Sequence, residues 1–282
     1  MNPKSYIALV LITIAVACSA NAHNELAQYI INNNTAKFRT TIKKLAKREQ
    51  LNLASPCDEY NNTLLHLAVQ RGSLSFVKAL MRYIDTDLGN YVYLQNCAGW
   101  NSLQVAVHTW ELDLLKYLIT KKGGIDNERD RELLDTAAIV GDLECVTYLV
   151  EECGLDVGQI DDEGGTPLHY AASEGNLSCM LYLIDKIKAK GMPELLKHQG
   201  GRFNNSPLHC LMASKEREDD PEKFCQVVEA LKGNKPLRNS NQKTPLDLAL
   251  NKPSIEISIL SDHDTVTNGG TSEDNKCAKA LE

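Results

Sequence analysis

One string constrains the fold of this chain more than any other: Thr166-Pro167-Leu168-His169-Tyr170-Ala171-Ala172-Ser173-Glu174-Gly175. Thr166 is suited to cap a helix, because its hydroxyl can accept a bond from an unpaired backbone N–H of the first turn. Pro167 then falls at the first helical position, where a missing N–H is not needed and a fixed φ helps. Leu168, Ala171 and Ala172 recur at helical spacing and form a narrow apolar face of small side chains, which lets a second helix approach closely. Gly175 can take the left-handed conformation that ends a helix. An apolar run from Leu177 to Ile184 follows at once, so the unit reads as two helices joined by a tight turn. Asp161-Asp162-Glu163-Gly164-Gly165, ahead of it, reads as an exposed turn.

The same frame returns along the chain. Aligned on Leu168, it recurs at Thr63-Leu64-Leu65-His66-Leu67-Ala68 with Gly72, at Asn101-Ser102-Leu103-Gln104-Val105-Ala106, and, more weakly, at Glu132-Leu133-Leu134-Asp135-Thr136-Ala137-Ala138 with Gly141. It comes back at Ser206-Pro207-Leu208-His209 and at Thr244-Pro245-Leu246-Asp247-Leu248-Ala249. The second helix of each unit keeps register too. Phe76-Val77, Leu114-Leu115, Cys145-Val146, Cys179-Met180 and Val227-Val228 fall in one column, and Tyr117, Tyr148 and Tyr182 in another. Like residues at one repeat position are what stacking requires, since a single unit cannot bury its apolar face alone.

These strings resemble the ankyrin repeat, whose core pattern is T-P-L-H-x-A-A-x-x-G. The anchoring leucines 65, 103, 134, 168, 208 and 246 are separated by 38, 31, 34, 40 and 38 residues. The family period is about 33, so several connections carry insertions. The resemblance implies an all-α ankyrin-repeat solenoid of helix–turn–helix units with hairpin-like turns. Thr63, His66, Gly72, Thr166, Pro167, His169, Gly175, Pro207, His209, Thr244 and Pro245 are its structural motif residues. The family imidazole braces the turn by hydrogen bonding near the cap, which assigns His66, His169 and His209 a structural role.

In chain order, residues 1–22 read as a secretory signal, with Lys4 in a weak basic start, an apolar run from Ile7 to Ala17 and a small-x-small site at Ala20-Asn21-Ala22. That run is shorter than the roughly 20 residues that span a bilayer, so no membrane span is expected after signal removal. Ala15-Val16-Ala17-Cys18 also resembles a bacterial lipobox, which leaves a lipid anchor at Cys18 open. Residues 23–57 read as a helical N-terminal cap, with Glu25 to Ile31 and Phe38 to Leu45 joined by three asparagines. Repeats are expected at about 58–90, 96–123, 127–157, 161–190, 201–234 and 239–260. Trp110 stands where the family has its helix-ending Gly, so a distorted turn is expected there. The third hairpin turn, without Thr-Pro, is expected to be irregular. A long connection runs from Asp185 to Gly201, with an extra turn at Pro193-Glu194-Leu195-Leu196, and a charged loop from Ser214 to Pro221 splits the fifth repeat. Residues 261–282 read as a disordered tail.

Composition narrows the chemistry. A net charge of −7 argues against a general nucleic-acid binder, so no nucleic acid is expected. Lys37, Arg39, Lys43, Lys44, Lys47 and Arg48 make a local basic stretch, either the solvated face of a cap helix or a contact for an anionic surface. Metal-ligand spacings are missing, so neither metal nor cofactor is expected. Cys145 and Cys179 share a buried column in neighbouring repeats. Helices stack about 10 Å apart, while a disulfide needs Cα atoms within about 7 Å, so this pair is expected as thiols. Cys57, Cys97, Cys153 and Cys277 could oxidise. His209-Cys210 point apart on a helix and make no nucleophilic pair. Asn33, Asn61, Asn176 and Asn204 begin N-x-S/T triplets, read as chance in an Asn-rich chain and as mildly favouring a bacterial source.

What the resemblance implies is a non-enzymatic scaffold that binds another protein on a concave face. Placed by register, the partner-binding candidates are Tyr60, Trp100, Asp162, Glu163, Arg202 and Phe203 at turn tips, and Gln70, Arg71, Ser173 and Glu174 on first helices. Trp100 is either a contact residue or folded onto a neighbouring repeat. With its signal the chain resembles the secreted effectors of intracellular bacteria. The alternatives are a periplasmic or lipid-tethered envelope protein and, in another class, a thiol redox or metal-binding protein.

Overall fold

The computed structural model describes residues 22–47, 53–84, 88–214, 220–233 and 237–250. The expected signal up to residue 21 with Cys18, Arg48 of the basic stretch, most of the charged loop after Ser214, the end of the sixth repeat and the tail with Cys277 lie outside the described residues. The described residues are helical and contain no β-strand, only an isolated bridge between Gly200 and Asn205. The chain divides into two compact units at Ile125/Asp126.

The first unit begins with the cap helices α1 (Ala22–Ile31) and α2 (Thr35–Ala46). Asn34 starts α2 by accepting the Lys37 N–H at 3.0 Å. Leu26, Ile30, Phe38, Ile42 and Leu45 are buried, while Lys37, Arg39, Lys43, Lys44 and Lys47 are exposed. The basic stretch, where described, is therefore the outer face of a cap helix. Phe38 meets Phe76 edge-to-face at 5.0 Å, an arrangement the ring quadrupoles favour. Two repeats follow, α3 (Leu64–Gln70) with α4 (Leu74–Leu80) and α6 (Ser102–His108) with α7 (Leu112–Lys122). The short α5 (Leu88–Val92) lies between them and packs on α7.

The turn at Trp110 differs from expectation. Trp110 adopts φ 61°, beside the 68° of Gly72 in the preceding repeat. The hydrogen bonds match as well: Trp110 and Glu111 N–H donate to Val107 and Ala106, as Gly72 and Ser73 donate to Val69 and Ala68. The hairpin is regular, and the steric cost falls on the Trp110 backbone instead. A left-handed residue other than Gly costs roughly 1–2 kcal/mol. The paired carbonyls and the buried faces of α6 and α7 hold it there.

The second unit holds α8 (Glu132–Val140) with α9 (Leu143–Glu151), α10 (Pro167–Glu174) with α11 (Leu177–Ala189), α12 (Pro207–Ala213) with α13 (Pro221–Leu231), and α14 (Pro245–Leu250). First helices pack in a row, α8 on α10 on α12 on α14, and second helices in another, α9 on α11 on α13. The connection expected from Asp185 is shorter, because α11 runs on to Ala189 with Ile184 and Ile187 buried. A 3-10 turn at Pro193–Lys197 fills the remainder and buries Leu196. The column Phe76-Val77, Leu114-Leu115, Cys145-Val146, Cys179-Met180 and Val227-Val228 is buried throughout the two units. Cys145 and Cys179 are thiols in it.

Candidate functional site

Four of the turns share one device. Five residues before the helix cap stands an Asp or Asn whose side-chain oxygen accepts two backbone N–H groups of its own turn; the fifth repeat lacks it because Gly201 stands at that place. Asp58 accepts from Tyr60 and Asn62 (3.0 and 2.8 Å), and Asn96 from Ala98 and Trp100 (3.0 and 3.1 Å). Asp161 accepts from Glu163 and Gly165 (2.8 and 2.7 Å), and Asn239 from Asn241 and Lys243 (3.0 and 3.1 Å). These short polar side chains mimic a backbone turn. Asp126 does the same less regularly in the third repeat, bonding Glu128 and Arg129.

Three imidazoles each fasten their own turn to the next. His169 Nε2 lies 3.1 Å from both the His198 and the Asn205 carbonyl oxygens. A carbonyl only accepts, so Nε2 carries the proton and Nδ1 is left to accept the Thr166 N–H at 3.3 Å. His66 repeats this with Thr63 (3.1 Å) and the Trp100 carbonyl (3.1 Å), and His209 with Ser206 (3.2 Å) and the Lys243 carbonyl (3.0 Å). Burial lowers all three, His169 to about 4, which keeps them neutral. Gln104 serves the cap role in the second repeat, its Oε1 accepting from Asn101 N–H at 3.0 Å. His198 joins in, with Nε2 on the Gly164 carbonyl at 3.1 Å and its ring edge-on to His169. At Gly200 the Gly164 backbone comes so close that a Cβ would overlap it.

Above this lattice sit the expected tip residues. Tyr60, Glu163 and Phe203 occupy equivalent places, because each gives its carbonyl to the next turn: Cys97 N–H to Tyr60 (2.8 Å), Gly201 N–H to Glu163 (2.7 Å), Ser240 N–H to Phe203 (2.9 Å). Their side chains are exposed, Tyr60 by 44% and Phe203 by 46%. Arg202 stacks over the Phe203 ring at 5.6 Å. Asp162 is exposed and pairs with Arg131 at 3.3 Å. On the first helices Arg71, Ser173 and Glu174 are exposed and Gln70 half-buried. Trp100 is half-buried, its ring tilted against His108 with centroids 4.4 Å apart, so it folds back on its own repeat. Within the second unit the structure brings Asp162, Glu163, Arg202 and Phe203 onto consecutive turns, with Ser173 and Glu174 on α10.

Ile160, 45% exposed beside the Asp161 turn, was not among the expected tips. Nor was the pairing of Tyr170 Oη with Asp161 Oδ2. Burial raises the Asp161 carboxyl, but bonds from Tyr170, Gly165 and Glu163 outweigh it and hold the group below its ordinary range. The spacing of five residues to the cap was the signal for the turn acids. Both ring nitrogens of His209 are engaged, and burial pushes the adjacent Cys210 thiol up to about 11. A nucleophilic thiol needs the opposite shift. Among the described residues no group of three or more His, Cys, Asp or Glu gathers as a metal site.

A family model described as "Ankyrin repeats (3 copies)" matches residues 12–131, 112–192 and 134–218. "Protein VAPYRIN-LIKE" of Medicago truncatula is 28% identical over 163 residues, covering 56% of this chain and 32% of its own length. "Probable 26S proteasome regulatory subunit p28" of Saccharomyces cerevisiae is 29% identical over 171 residues, 58% of this chain and 71% of its own. The chain thus spans about a third of the plant relative's length. Among solved structures, the ankyrin repeat domain of Bcl-3 aligns with TM-score 0.56 at 21% identity over 79% of this chain and 92% of its own. That of human ASB11 aligns with TM-score 0.57 at 21% identity over 88% and 100%. Identity that low speaks to fold alone, but the family model runs across most of the sequence and the cap-and-imidazole lattice realises its motif: the chain belongs to the ankyrin repeat family.

Proposed function

We propose that this protein is a non-enzymatic module that binds another protein through its turn tips and first-helix surfaces. One observation carries the reading: Tyr60, Glu163 and Phe203 hold equivalent places, main chain fixed and side chain in solvent. A surface of immobilised, chemically varied side chains binds at low ordering cost, and exposed aromatics beside Arg are the residue types that dominate interface energies. The test is a crosslinking pull-down from the native source with wild type, Phe203→Ala and Tyr60→Ala. A partner lost with either variant, at unchanged circular dichroism, supports the reading. A partner retained by both at wild-type yield refutes the tip placement.

Export is part of the proposal, supported by the apolar run Ile7 to Ala17 and the small-x-small site at Ala20-Asn21-Ala22. The intact mass of the native protein decides it. A mass starting at His23 means cleavage and a soluble exported module. A lipid-sized addition on Cys18 means a tethered envelope protein. An intact Met1 refutes export.

A further inference from the structure

In the first, fourth and fifth repeats, the fourth residue of the T-P-L-H frame is a histidine with two duties. It accepts from its own cap and donates to the carbonyl just before the next cap. In the third repeat that residue is Asp135. An ionised carboxylate only accepts, so it cannot perform the second duty. The cap duty is missing as well. Glu132, which stands where Thr166 does, has no hydroxyl and already lies inside α8, and the residue before it, Arg131, is helical (φ −52°, ψ −40°) and makes no side-chain cap bond, whereas Thr166 is extended (φ −125°, ψ 163°).

The sixth repeat supplies the control, with an aspartate at the same frame position. Asp247 Oδ2 accepts both the Thr244 N–H (2.8 Å) and the Thr244 hydroxyl (2.9 Å). These bonds hold its carboxyl below the ordinary range. Asp135 has the same side chain without those donors, and its Oδ1 is buried with no hydrogen-bond partner. Register puts Gly165 where Trp100, Asn205 and Lys243 stand for the histidines, and the Gly165 carbonyl receives the Asp161 N–H at 2.9 Å just as the Trp100 and Lys243 carbonyls receive those of Asn96 and Asn239, with no imidazole added.

The surroundings disfavour a negative charge at that place. Asp161 in the facing turn is a second carboxylate, itself held ionised by Tyr170 of α10. Glu132 on α8 adds a third acid, and Arg131 opposes them, though it is drawn to Asp162 in the exposed pair. Gln159, after α9, reaches the Asp135 carboxyl while its amide also donates to the Arg131 carbonyl at 2.7 Å. Burial with two nearby acids raises the Asp135 carboxyl to about 7.

We propose that Asp135 makes the packing of the third repeat on the fourth a proton-operated joint. Protonated, Asp135 is neutral and supplies the donor that histidine supplies elsewhere. On ionisation the proton passes to water, and a half-buried carboxylate facing Asp161 loosens α8 from the Asp161 turn.

The experiment compares wild type with Asp135→Asn, which carries a permanent amide donor, by hydrogen exchange of the α8 and α10 amides at pH 5 and pH 8. Taking the ratio of the two proteins cancels every other titrating group. From pH 5 to pH 8, protection in wild type is expected to fall relative to the variant by on the order of 10- to 100-fold. A ratio constant across that range overturns the proposal. The wild-type carboxyl carbon is read in parallel by NMR, so the test survives a variant that fails to fold. A midpoint near 7 supports the joint, and a midpoint below about 5, the ordinary carboxylate range, overturns it.

Discussion

Replacing His169 separates two contributions that the imidazole combines. At neutral pH the ring bonds the Thr166 cap on one side and the His198 and Asn205 carbonyls on the other, and it is only 5% exposed. At roughly 1 kcal/mol net for each bond, with the carbonyls left buried, His169→Ala should cost about 3 kcal/mol. His169→Gln should cost less, since Gln104 already caps Asn101 from the same position. The acid dependence distinguishes the variants further. The folded ring titrates at about 4 against an ordinary 6.5. Between those values the unfolded chain binds a proton that the folded chain does not, so stability rises with pH there. It is fully present above about 6.5 and is lost as pH falls towards 4, by up to ~3 kcal/mol. Glutamine does not titrate, so His169→Gln should erase that acid loss while keeping most of the neutral stability. Both tryptophans lie in the first unit, so the readout is hydrogen exchange of α10 and α12 amides at pH 7 and pH 4.5. An acid loss in His169→Gln equal to that of wild type would refute the neutral, bridging imidazole.

Substitutions at three further positions test the turns and their tips. Trp110→Gly relieves a left-handed backbone and should raise the first unit's urea stability by about 0.5–1 kcal/mol once the extra freedom of Gly in the unfolded chain is counted; Trp110→Ala, which keeps the strain, should show no such gain. Gly200→Ala drives a Cβ into the Gly164 carbonyl and should cost about 1–3 kcal/mol, seen as faster exchange of the Gly201 amide. Phe203→Ala removes an exposed ring and should change stability by less than about 0.5 kcal/mol while lowering partner recovery.

The helical pairs are legible in the sequence because the cap, proline and leucine of each first helix and the paired apolar residues of each second helix recur in register. Burial of the Phe76-Val77 to Val227-Val228 column follows from that periodicity alone. Three features escape such reading for physical reasons. Trp110 obeys the local hydrogen-bond geometry of its turn rather than the average cost of a bulky left-handed residue. The end of α11 lies beyond the charged Asp185, because Ile187 continues the apolar spacing underneath it. Composition cannot rank Asp161 above Asp162, yet one organises the turn and the other stands in solvent. The count of five residues back from the cap makes the distinction, at positions 58, 96, 161 and 239. Trp100 shows the opposite limit, since its ring lies tilted against His108, a contact that no spacing rule encodes.

The turns keep stability and recognition on different atoms. Tyr60, Glu163 and Phe203 share no side-chain chemistry, yet each gives its carbonyl oxygen to an N–H of the next turn. The bonds that hold the turns use main chain, the cap hydroxyls, the turn acids and buried imidazoles; the tip side chains enter none of them. A tip can therefore be changed from aromatic to acid without disturbing the joint beneath it, which makes tip substitutions clean probes of binding. Asp135 sits on the other side of that division, within the joint and away from the tips. A change there should alter how firmly the Asp161 turn is held, and with it the fixed spacing of Glu163 and Phe203, while leaving the chemistry those tips present unchanged.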